Sequence, residues 1–478
     1  MDWFVVILVI VYLLMILGVG IYSSKKIKNT SDYLVAGRQL GPWLVAGSLA
    51  ATGLDGGATL GVVSNTYGKW GASAIWYPLS IGLAFFALYF LAPRLQRTKE
   101  KTVPEYFRLR YGKTAGFLAS ALSIVSVVGL TAGQLKVSAS ILEVMLGMDY
   151  NTALILVAVI ISAYAILGGL WSVVLTDCIQ FFFILIGMGA AIPFVLRLAG
   201  GWSAVQEAVP AETLSLTAGI GGWGQILGYL LLFVTSFAVG EEVMPCYYAA
   251  MDEKAGKRGS LIAGAGVCLY AGIPVMLGII IQALYNQGTL SSGVMAAMEQ
   301  SGRYALPALA VTSMPSLIVA VLFAGILSAT MSSADSALLG AGSVYSNDVY
   351  KVYICPEAGS RKVVAAARIS MVFVMIFSFI TAIYGGEVLS LIAASLALRA
   401  VGAFVPYVRG HFWKGASRAG CLVSLVAGTG AYLVTVTNLV SLPMINALLP
   451  ALAISGLCFF FFSWLLPDKE KEKTNKDN

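Results

Sequence analysis

The chain has 478 residues, of which 59% are hydrophobic and 11% are charged, and its formal net charge is +7. Soluble domains carry about a quarter charged residues, so this composition excludes an ordinary soluble protein and predicts one that is solvated by lipid. Membrane topology accounts for the surplus of positive charge, which therefore does not indicate a nucleic-acid partner.

Apolar runs of roughly 20 residues, the length that crosses a bilayer as a helix, recur along the whole chain. We predict thirteen membrane-spanning helices and therefore an all-α, polytopic membrane protein. In chain order these helices cover residues 2–22, 41–66, 70–93, 114–147, 150–168, 170–198, 223–250, 258–284, 312–347, 362–385, 387–408, 417–438 and 444–466. The glycine-rich join at 168–172 is short, which leaves the count open by one.

Basic residues indicate the orientation of these helices, because lysine and arginine concentrate in cytoplasmic loops. With the N-terminus outside, nearly all of the 30 basic residues fall in cytoplasmic segments. Only Lys69, Arg197 and Arg303 then fall in outer loops. We therefore predict a multi-pass protein of the cytoplasmic membrane whose N-terminus is outside and whose C-terminus is inside.

The second predicted helix contains a segment that disfavours a continuous helix. Residues 50–58 place Gly53, Gly56 and Gly57 around Asp55, in the middle of a membrane span. Each glycine costs about 1 kcal/mol of helix stability relative to alanine, and a charge at this depth costs roughly 2.5–3.5 kcal/mol on insertion scales. We predict that the helix is broken at this segment.

A similar segment interrupts the seventh predicted helix at residues 240–246. Pro245 removes a backbone hydrogen-bond donor close to the adjacent acids Glu241 and Glu242. Broken backbone at this depth is tolerated where it lines a cavity, and two such breaks in corresponding places indicate an inverted-repeat transporter. The alternative is a packing cluster of glycines in one helix and an ordinary proline kink in the other.

The two breaks each open a unit of five helices, which divides the chain into segments. We predict a first helix and cytoplasmic loop at 1–40, five-helix repeats at 41–200 and 201–410, two C-terminal helices at 411–466 and a charged cytoplasmic tail at 467–478. A solute site is then expected near the membrane midplane, where the two repeats meet.

The ninth predicted helix carries a polar stripe. Ala329, Ser332, Ser333 and Ser336 are three and four residues apart, so they share one helix face. Hydroxyl and carbonyl oxygens that face a break in another helix can replace the water shell of a monovalent cation. The alternatives are close helix packing through small residues and serine hydroxyls that bond back to their own helix.

Six segments of the chain together match the pattern of one transporter family. They are residues 33–38, 48–51, 102–107, 168–180, 329–336 and 346–350. On these segments, from about residue 5 to about residue 410, the chain resembles the sodium:solute symporter family. The resemblance implies a LeuT-type fold of five plus five inverted helices and sodium-coupled transport of a small organic solute.

The resemblance also implies the ligands of the coupling ion, which is sodium. By position, the ion would be held by the carbonyls of Ala51, Leu54 and Ala329 and the hydroxyls of Ser332 and Ser333. Some family members bind a second sodium ion. The matching positions for that site are Asp177, Ser332, Asp335 and Ser336.

The expected solute pocket lies at the two breaks and carries several acidic groups. Its candidate residues are Asp55, Gly56, Gly57, Glu241, Glu242 and Tyr247. Surplus negative charge favours a solute with an amine or quaternary ammonium group, and a monocarboxylate is the alternative. In a further alternative, one glutamate caps a half-helix and the other faces the inner vestibule.

Lys136 adds a positive charge within the fourth helix, and two interpretations stay open. Either it forms a structural ion pair with Asp177, Asp55 or another acid, or its ammonium group takes the place of a second sodium ion. Arg399 and Glu143 are expected near helix ends, where long charged side chains reach the membrane interface.

The breaks, the stripe and the resemblance together predict symport by alternating access, with the solute, the sodium ion and the bilayer as partners. Proton coupling is the alternative, a channel and a membrane sensor are rival classes, and the oligomeric state is open. No enzyme is expected, because His411 is the single histidine and no nucleophile–base or metal-ligand motif accompanies it.

Overall fold

The computed structural model describes residues 2–437 and 444–468. Over these residues the chain forms twenty-one α-helices, joined by short turns of 3-10 and π-helix. In chain order they are α1 Trp3–Ser24, α2 Thr30–Val35, α3 Pro42–Gly53, α4 Val62–Asn65, α5 Trp76–Leu88, α6 Ala92–Thr98, α7 Val103–Tyr111, α8 Lys113–Leu146, α9 Tyr150–Leu198, α10 Trp202–Ala208, α11 Trp223–Phe237, α12 Met244–Tyr248, α13 Glu253–Tyr270, α14 Gly272–Asn286, α15 Ser292–Gln300, α16 Ala305–Ser313, α17 Ser316–Val344, α18 Ser360–Tyr384, α19 Val388–Phe412, α20 Arg418–Val436 and α21 Met444–Leu465. Residues 469–478, most of the predicted tail, lie outside the described part.

The helices account for the predicted membrane passages. Ten helical segments in the described part of the chain are long and apolar enough to span a bilayer. Two shorter apolar segments, Tyr150–Ile166 and Trp223–Phe237, and the 12-residue α3 coincide with the remaining predicted passages. The fold is therefore all-α and polytopic, as predicted.

The short join at 168–172 is a sharp turn between two passages. Helix α9 continues through it, but Gly169 has a φ of 52° and a ψ of −163°. A side chain at this position would lie 2.7 Å from the carbonyl oxygen of Tyr33, and residues with a side chain rarely adopt this φ. The chain thus reverses its direction at a single glycine, without a loop.

Helix α17 forms the centre of the bundle, and nearly all of its residues from Val319 to Val344 are buried. It packs against α9, α8, α3 and α1. Small residues permit close approach: a side chain at Gly325 of α17 would lie 2.7 Å from the carbonyl oxygen of Phe183 in α9. Helices α20 and α21 pack against each other and against α19, at the periphery of this arrangement. The division into two five-helix repeats stays a prediction.

Candidate functional site

The predicted break in the second span is present. Helix α3 ends at Gly53, Leu54 follows with a φ of −87° and a ψ of 63°, and a π-helical turn starts at Gly57. The carboxylate of Asp55 accepts a hydrogen bond from the amide of Ala58 at 2.8 Å. Because a carboxylate is favoured at a helix N-terminus, Asp55 stabilises the point where the helix resumes.

Gln134 of α8 crosses to the break, a contact that sequence reasoning did not identify. Its side-chain oxygen accepts from the amide of Gly56 at 2.8 Å, and its side-chain nitrogen lies 3.4 Å from Asp55. A side chain on Gly56 would lie 2.9 Å from this oxygen, and one on Gly57 would lie 2.6 Å from the hydroxyl of Tyr77. Both glycines are therefore needed for the close approach of neighbouring side chains.

The polar stripe of α17 faces the end of α3. Ser332 donates to the carbonyl of Ala51 at 3.0 Å, and Ser333 donates to the carbonyl of Thr52 at 2.8 Å. Both hydroxyls also lie close to the carbonyl of Ala329, at 3.2 and 3.1 Å. Four of the five residues predicted to hold sodium thus converge, and both serines are buried.

Thr52, rather than the predicted Leu54, contacts the polar stripe in the described conformation. The amide of Leu54 bonds to the carbonyls of Ala50 and Ala51, and no hydrogen bond in the described part of the chain joins Leu54 to the serines. Thr52, which was not predicted, faces Ser333 with its carbonyl and lies 3.1 Å from Ser336 with its hydroxyl. The residue at which α3 ends decides which carbonyls are free of helical hydrogen bonds. A sequence motif does not locate a helix end to within one turn.

Two buried carboxylates lie beside this contact, at residues predicted for a second ion. Asp177 accepts a hydrogen bond from Ser48 at 2.5 Å, and Asp335 accepts one from the amide of Ser336 at 2.6 Å. One oxygen of each carboxylate has no hydrogen-bond partner within the described residues. Both acids are fully buried, so the arrangement combines negative charge with unused acceptor positions.

The second break also exists, between the end of α11 and the start of α12. Here Glu242 forms a bidentate ion pair with Arg399 of α19, with one contact at 2.6 Å. Arg399 also donates to Ser236 at 3.0 Å and is 1% exposed. The prediction that Arg399 reaches the membrane interface is therefore wrong, because the acid at the break holds it inside the bundle.

Glu241 and Tyr247, both predicted for the solute pocket, point to other elements. Glu241 accepts from the amide of Val103 at 3.1 Å and so caps α7. The hydroxyl of Tyr247 lies 2.6 Å from that of Ser260 in α13. These bonds connect the two side chains to α7 and α13, and Glu241 adopts the capping role weighed as an alternative, although for a different helix.

Lys136 does not pair with a buried acid. Its ammonium group donates to the carbonyl of Gly385, directly after α18, at 2.7 Å. None of the ion pairs among the described residues includes Lys136, so the first of the two open interpretations, an ion pair with Asp177, Asp55 or another acid, has no support there. The replacement of a second sodium ion by this ammonium group is likewise unsupported, because the ammonium faces the end of α18.

An outer cavity of about 640 Å³ adjoins the helical segment that follows the first break, at Leu60 and Gly61. Lys69 and Arg303, which the charge pattern places outside, line it, as does Leu389 of α19. Leu389 lies against Gly57, where an added side chain would approach its Cδ1 to 3.1 Å. Leu389 therefore both lines this cavity, on the side predicted to be extracellular, and contacts Gly57 near Asp55.

Hydrogen bonds join two segments on the side opposite the outer cavity, which the charge pattern predicts to be cytoplasmic. Arg38 donates to the carbonyls of Tyr248 at 2.9 Å and Glu100 at 3.2 Å, and the amide of Leu40 donates to the carbonyl of Ala249 at 3.0 Å. These contacts tie the segment before α3 to the segment after the second break. The described conformation therefore has a cavity on the side predicted to be extracellular and hydrogen bonds between these two segments on the side predicted to be cytoplasmic.

The chain is similar to known transporters along most of its length. The model of the sodium:solute symporter family matches residues 33–428. Sodium/proline symporters of several Staphylococcus aureus strains are 27% identical over 472 residues, covering 93% of this chain and 88% of the relative.

Two solved structures share the fold. A Na+-coupled sialic acid symporter, solved in a substrate-bound outward-open state, superposes with a TM-score of 0.83 at 20% identity, covering 98% of this chain and 99% of that chain. A nucleobase-cation-symport-1 family transporter in a closed conformation superposes with a TM-score of 0.56 at 16% identity, covering 93% and 98%. At these identities the two structures establish the fold alone.

Proposed function

Because the chain belongs to the sodium:solute symporter family, we propose that its solute is a small molecule with an ammonium group that binds against Asp55. The reaction class follows from the family: the protein is a sodium-coupled solute symporter of the plasma membrane and not an enzyme. The identity of the solute and the residues that bind it are the proposed part.

The observation that carries this proposal is a buried carboxylate without a basic partner. Asp55 is 6% exposed, and no ion pair in the described part of the chain includes it. It accepts hydrogen bonds from Ala58 and Gln134, whereas an ionised carboxylate has about four acceptor positions. Since an uncompensated buried charge is costly, an ammonium group is the solute feature that best complements this site.

Glu242 does not contribute a second unpaired negative charge. Arg399 neutralises it with a bidentate contact, so Asp55 and Glu241 are the acids at the breaks that have no ion-pair partner in the described part of the chain, and Glu241 accepts from the amide of Val103. The named relatives support a solute with one ammonium group, because proline carries an ammonium next to a carboxylate. We therefore favour an amino acid over a quaternary ammonium compound or a monocarboxylate.

We propose that sodium binds between α3 and α17, at Ala51, Ala329, Ser332 and Ser333. The carbonyls of Leu54 and Thr52 are the remaining candidate ligands. Serine hydroxyl hydrogens can rotate, so each oxygen can present a lone pair to a cation. The hydroxyl–carbonyl contacts of 2.8 to 3.2 Å support this proposal, because they bring several oxygens to one point.

We further propose that Asp177, Asp335 and Ser336 form a second cation site. Its support is the unused oxygen on each carboxylate in the described part of the chain. Both sites lie on α17, so occupation of one affects the position of the helix that also carries the other. The number of sodium ions that move with each solute depends on whether a sodium ion also occupies this second site.

Coupling then follows from the break that the two ligands share. Sodium holds the end of α3 against α17, and the solute binds where the same segment resumes as a helix. Each ligand therefore stabilises the form that the other prefers, which is the thermodynamic meaning of coupling. The membrane potential assists, since one charge moved across 100 mV is worth about 2.3 kcal/mol. The orientation with the N-terminus outside is part of the proposal.

Uptake into proteoliposomes under an imposed sodium gradient tests the solute class. We expect labelled proline, or another amino acid from a panel, to be taken up and to compete with amines. N-acetylproline is the matched control, because it keeps the ring and the carboxylate but lacks the positive charge. Competition by monocarboxylates and N-acetylproline alone would contradict the ammonium proposal, and uptake driven only by a proton gradient would contradict sodium coupling.

A further inference from the structure

A basic pocket lies at the start of α18, on the side that the charge pattern predicts to be cytoplasmic. It measures about 450 Å³, and its basic side chains are Lys28, Arg361 and Arg368. The residues that line it within the described chain include no carboxylate. The proposed solute and sodium sites use none of these residues, so the pocket requires its own explanation.

The N-terminus of α18 adds to the positive potential of the basic pocket. Gly359 precedes the helix and supplies no side-chain cap, and Ser360, the first residue of α18, lines the pocket. The N-terminus of a long helix favours anions, and guanidinium groups match the oxygens of a phosphate. Arg368 lies 5.7 Å from the ring of Tyr33, which keeps its guanidinium beside the pocket. The combined chemistry is that of a phosphate site.

An apolar groove of about 510 Å³ lies between α9 and α18, on the stretch of α18 that follows the basic pocket. It is lined by Ile155, Val159 and Ala163 of α9 and by Val372, Ile376 and Phe379 of α18. These α18 residues extend the face of Arg361 and Arg368 at intervals of three and four positions. From Arg368 to Phe379 the helix rises about 16 Å, close to half of the roughly 30 Å hydrocarbon thickness.

We propose that an anionic phospholipid binds here, with its phosphate in the basic pocket and one acyl chain in the apolar groove. Basic pockets between membrane helices on the cytoplasmic side bind the headgroups of anionic lipids. A free phosphate would account for the basic pocket but leave the groove unexplained. A second copy of the chain would need to present an acidic group at the same depth. The proposal is independent of the solute.

Native mass spectrometry of the purified full-length protein tests the headgroup, using equal amounts of phosphatidylglycerol and phosphatidylcholine. We expect the protein to retain phosphatidylglycerol preferentially. Lys28→Gln/Arg361→Gln removes two exposed charges and is expected to weaken this retention about tenfold or more. The control Lys254→Gln/Arg258→Gln removes the same charge from exposed residues of α13 and should leave retention unchanged.

Ala163→Trp tests the acyl chain, because it fills the groove without altering charge. It should also weaken retention, whereas Ala87→Trp, at an exposed position of α5, should not. Glycerol phosphate, which lacks acyl chains, should fail to compete. Equal retention of both lipids, or equal losses in the two double variants, would overturn the proposal. Competition by glycerol phosphate with no effect of Ala163→Trp would overturn it in favour of a free-phosphate site.

Discussion

Ser332 donates a hydrogen bond to the carbonyl oxygen of Ala51, 3.0 Å away, and so joins the centre of α17 to the last turn of α3. The two residues are 281 positions apart in the chain. Ser333 makes the equivalent contact with Thr52 at 2.8 Å. If a dehydrated cation bound among these oxygens, its contacts with both helices would replace the hydrogen bonds that now join the two helices.

Replacement of either serine tests the proposed sodium site. Ser332→Ala or Ser333→Ala removes one hydroxyl ligand and leaves the facing carbonyl without its donor. We expect a loss of about 1–3 kcal/mol in sodium binding, measured as a higher sodium concentration for half-maximal uptake. Ser343→Ala is the control, because among the described residues that hydroxyl bonds to Leu339 of its own helix and to no other group. An unchanged sodium dependence in both site variants would remove the site.

Replacement of Asp55 tests the proposed ammonium partner. Asp55→Asn keeps an oxygen that can accept from Ala58, and asparagine caps helices well, so the break should persist. The loss of charge should raise the KM for solute roughly thirtyfold, since an unpaired buried charge costs about 2 kcal/mol or more. Glu299→Gln removes an acid that lines the outer cavity and should leave KM unchanged. Equal effects of the two variants would contradict a specific role for Asp55.

The ion pair between Glu242 and Arg399 is expected to stabilise the fold. Glu242→Gln or Arg399→Gln alone leaves one buried charge unpaired, which costs about 3–5 kcal/mol and should lower the unfolding temperature in detergent. The double variant should recover part of this loss, because no charge remains. Glu253→Gln breaks the exposed contact with Arg97 and should change little. Additive losses in the double variant would show that the two residues act independently.

Replacement of Gly56 by alanine tests the close packing at the first break. Gly56→Ala places a methyl group 2.9 Å from both Gln134 and Val137, and overpacking of this kind costs about 1–3 kcal/mol. We expect reduced thermal stability together with reduced uptake. Gly41→Ala provides the comparison, because no atom lies within 4 Å of its added carbon. If the two variants behave alike, the contact with Gln134 does not constrain the break.

The membrane passages and both breaks were predictable, because each depends on residues that are neighbours in sequence. Hydrophobic length identifies a passage, and glycines or a proline next to an acid identify a break. The position of the serine stripe was predictable for the same reason, since helical spacing places Ser332 and Ser333 on one face. Their contact with α3 was expected from the family resemblance rather than from spacing.

The partners of the buried charges were not predictable in the same way. Arg399 was expected at an interface, yet it pairs with Glu242, 157 positions away. An ion pair with an acid was one of two open interpretations for Lys136, yet its ammonium group bonds to the carbonyl of Gly385. Gln134 carried no signal at all, because a single glutamine in an apolar helix resembles any other polar residue that faces the bundle.

Sequence alone therefore determined the class of protein, its helices and the places where those helices fail, because these depend on local hydrophobicity and backbone preference. Only the tertiary structure decided which partner each acid at the breaks has. Glu242, Glu241 and Asp55 look alike along the chain, but they meet a guanidinium, a backbone amide and a helix start, respectively. A buried acid can attract a charged solute when no basic group of the protein pairs with it. Whether such a pair forms depends on contacts between distant segments of the chain.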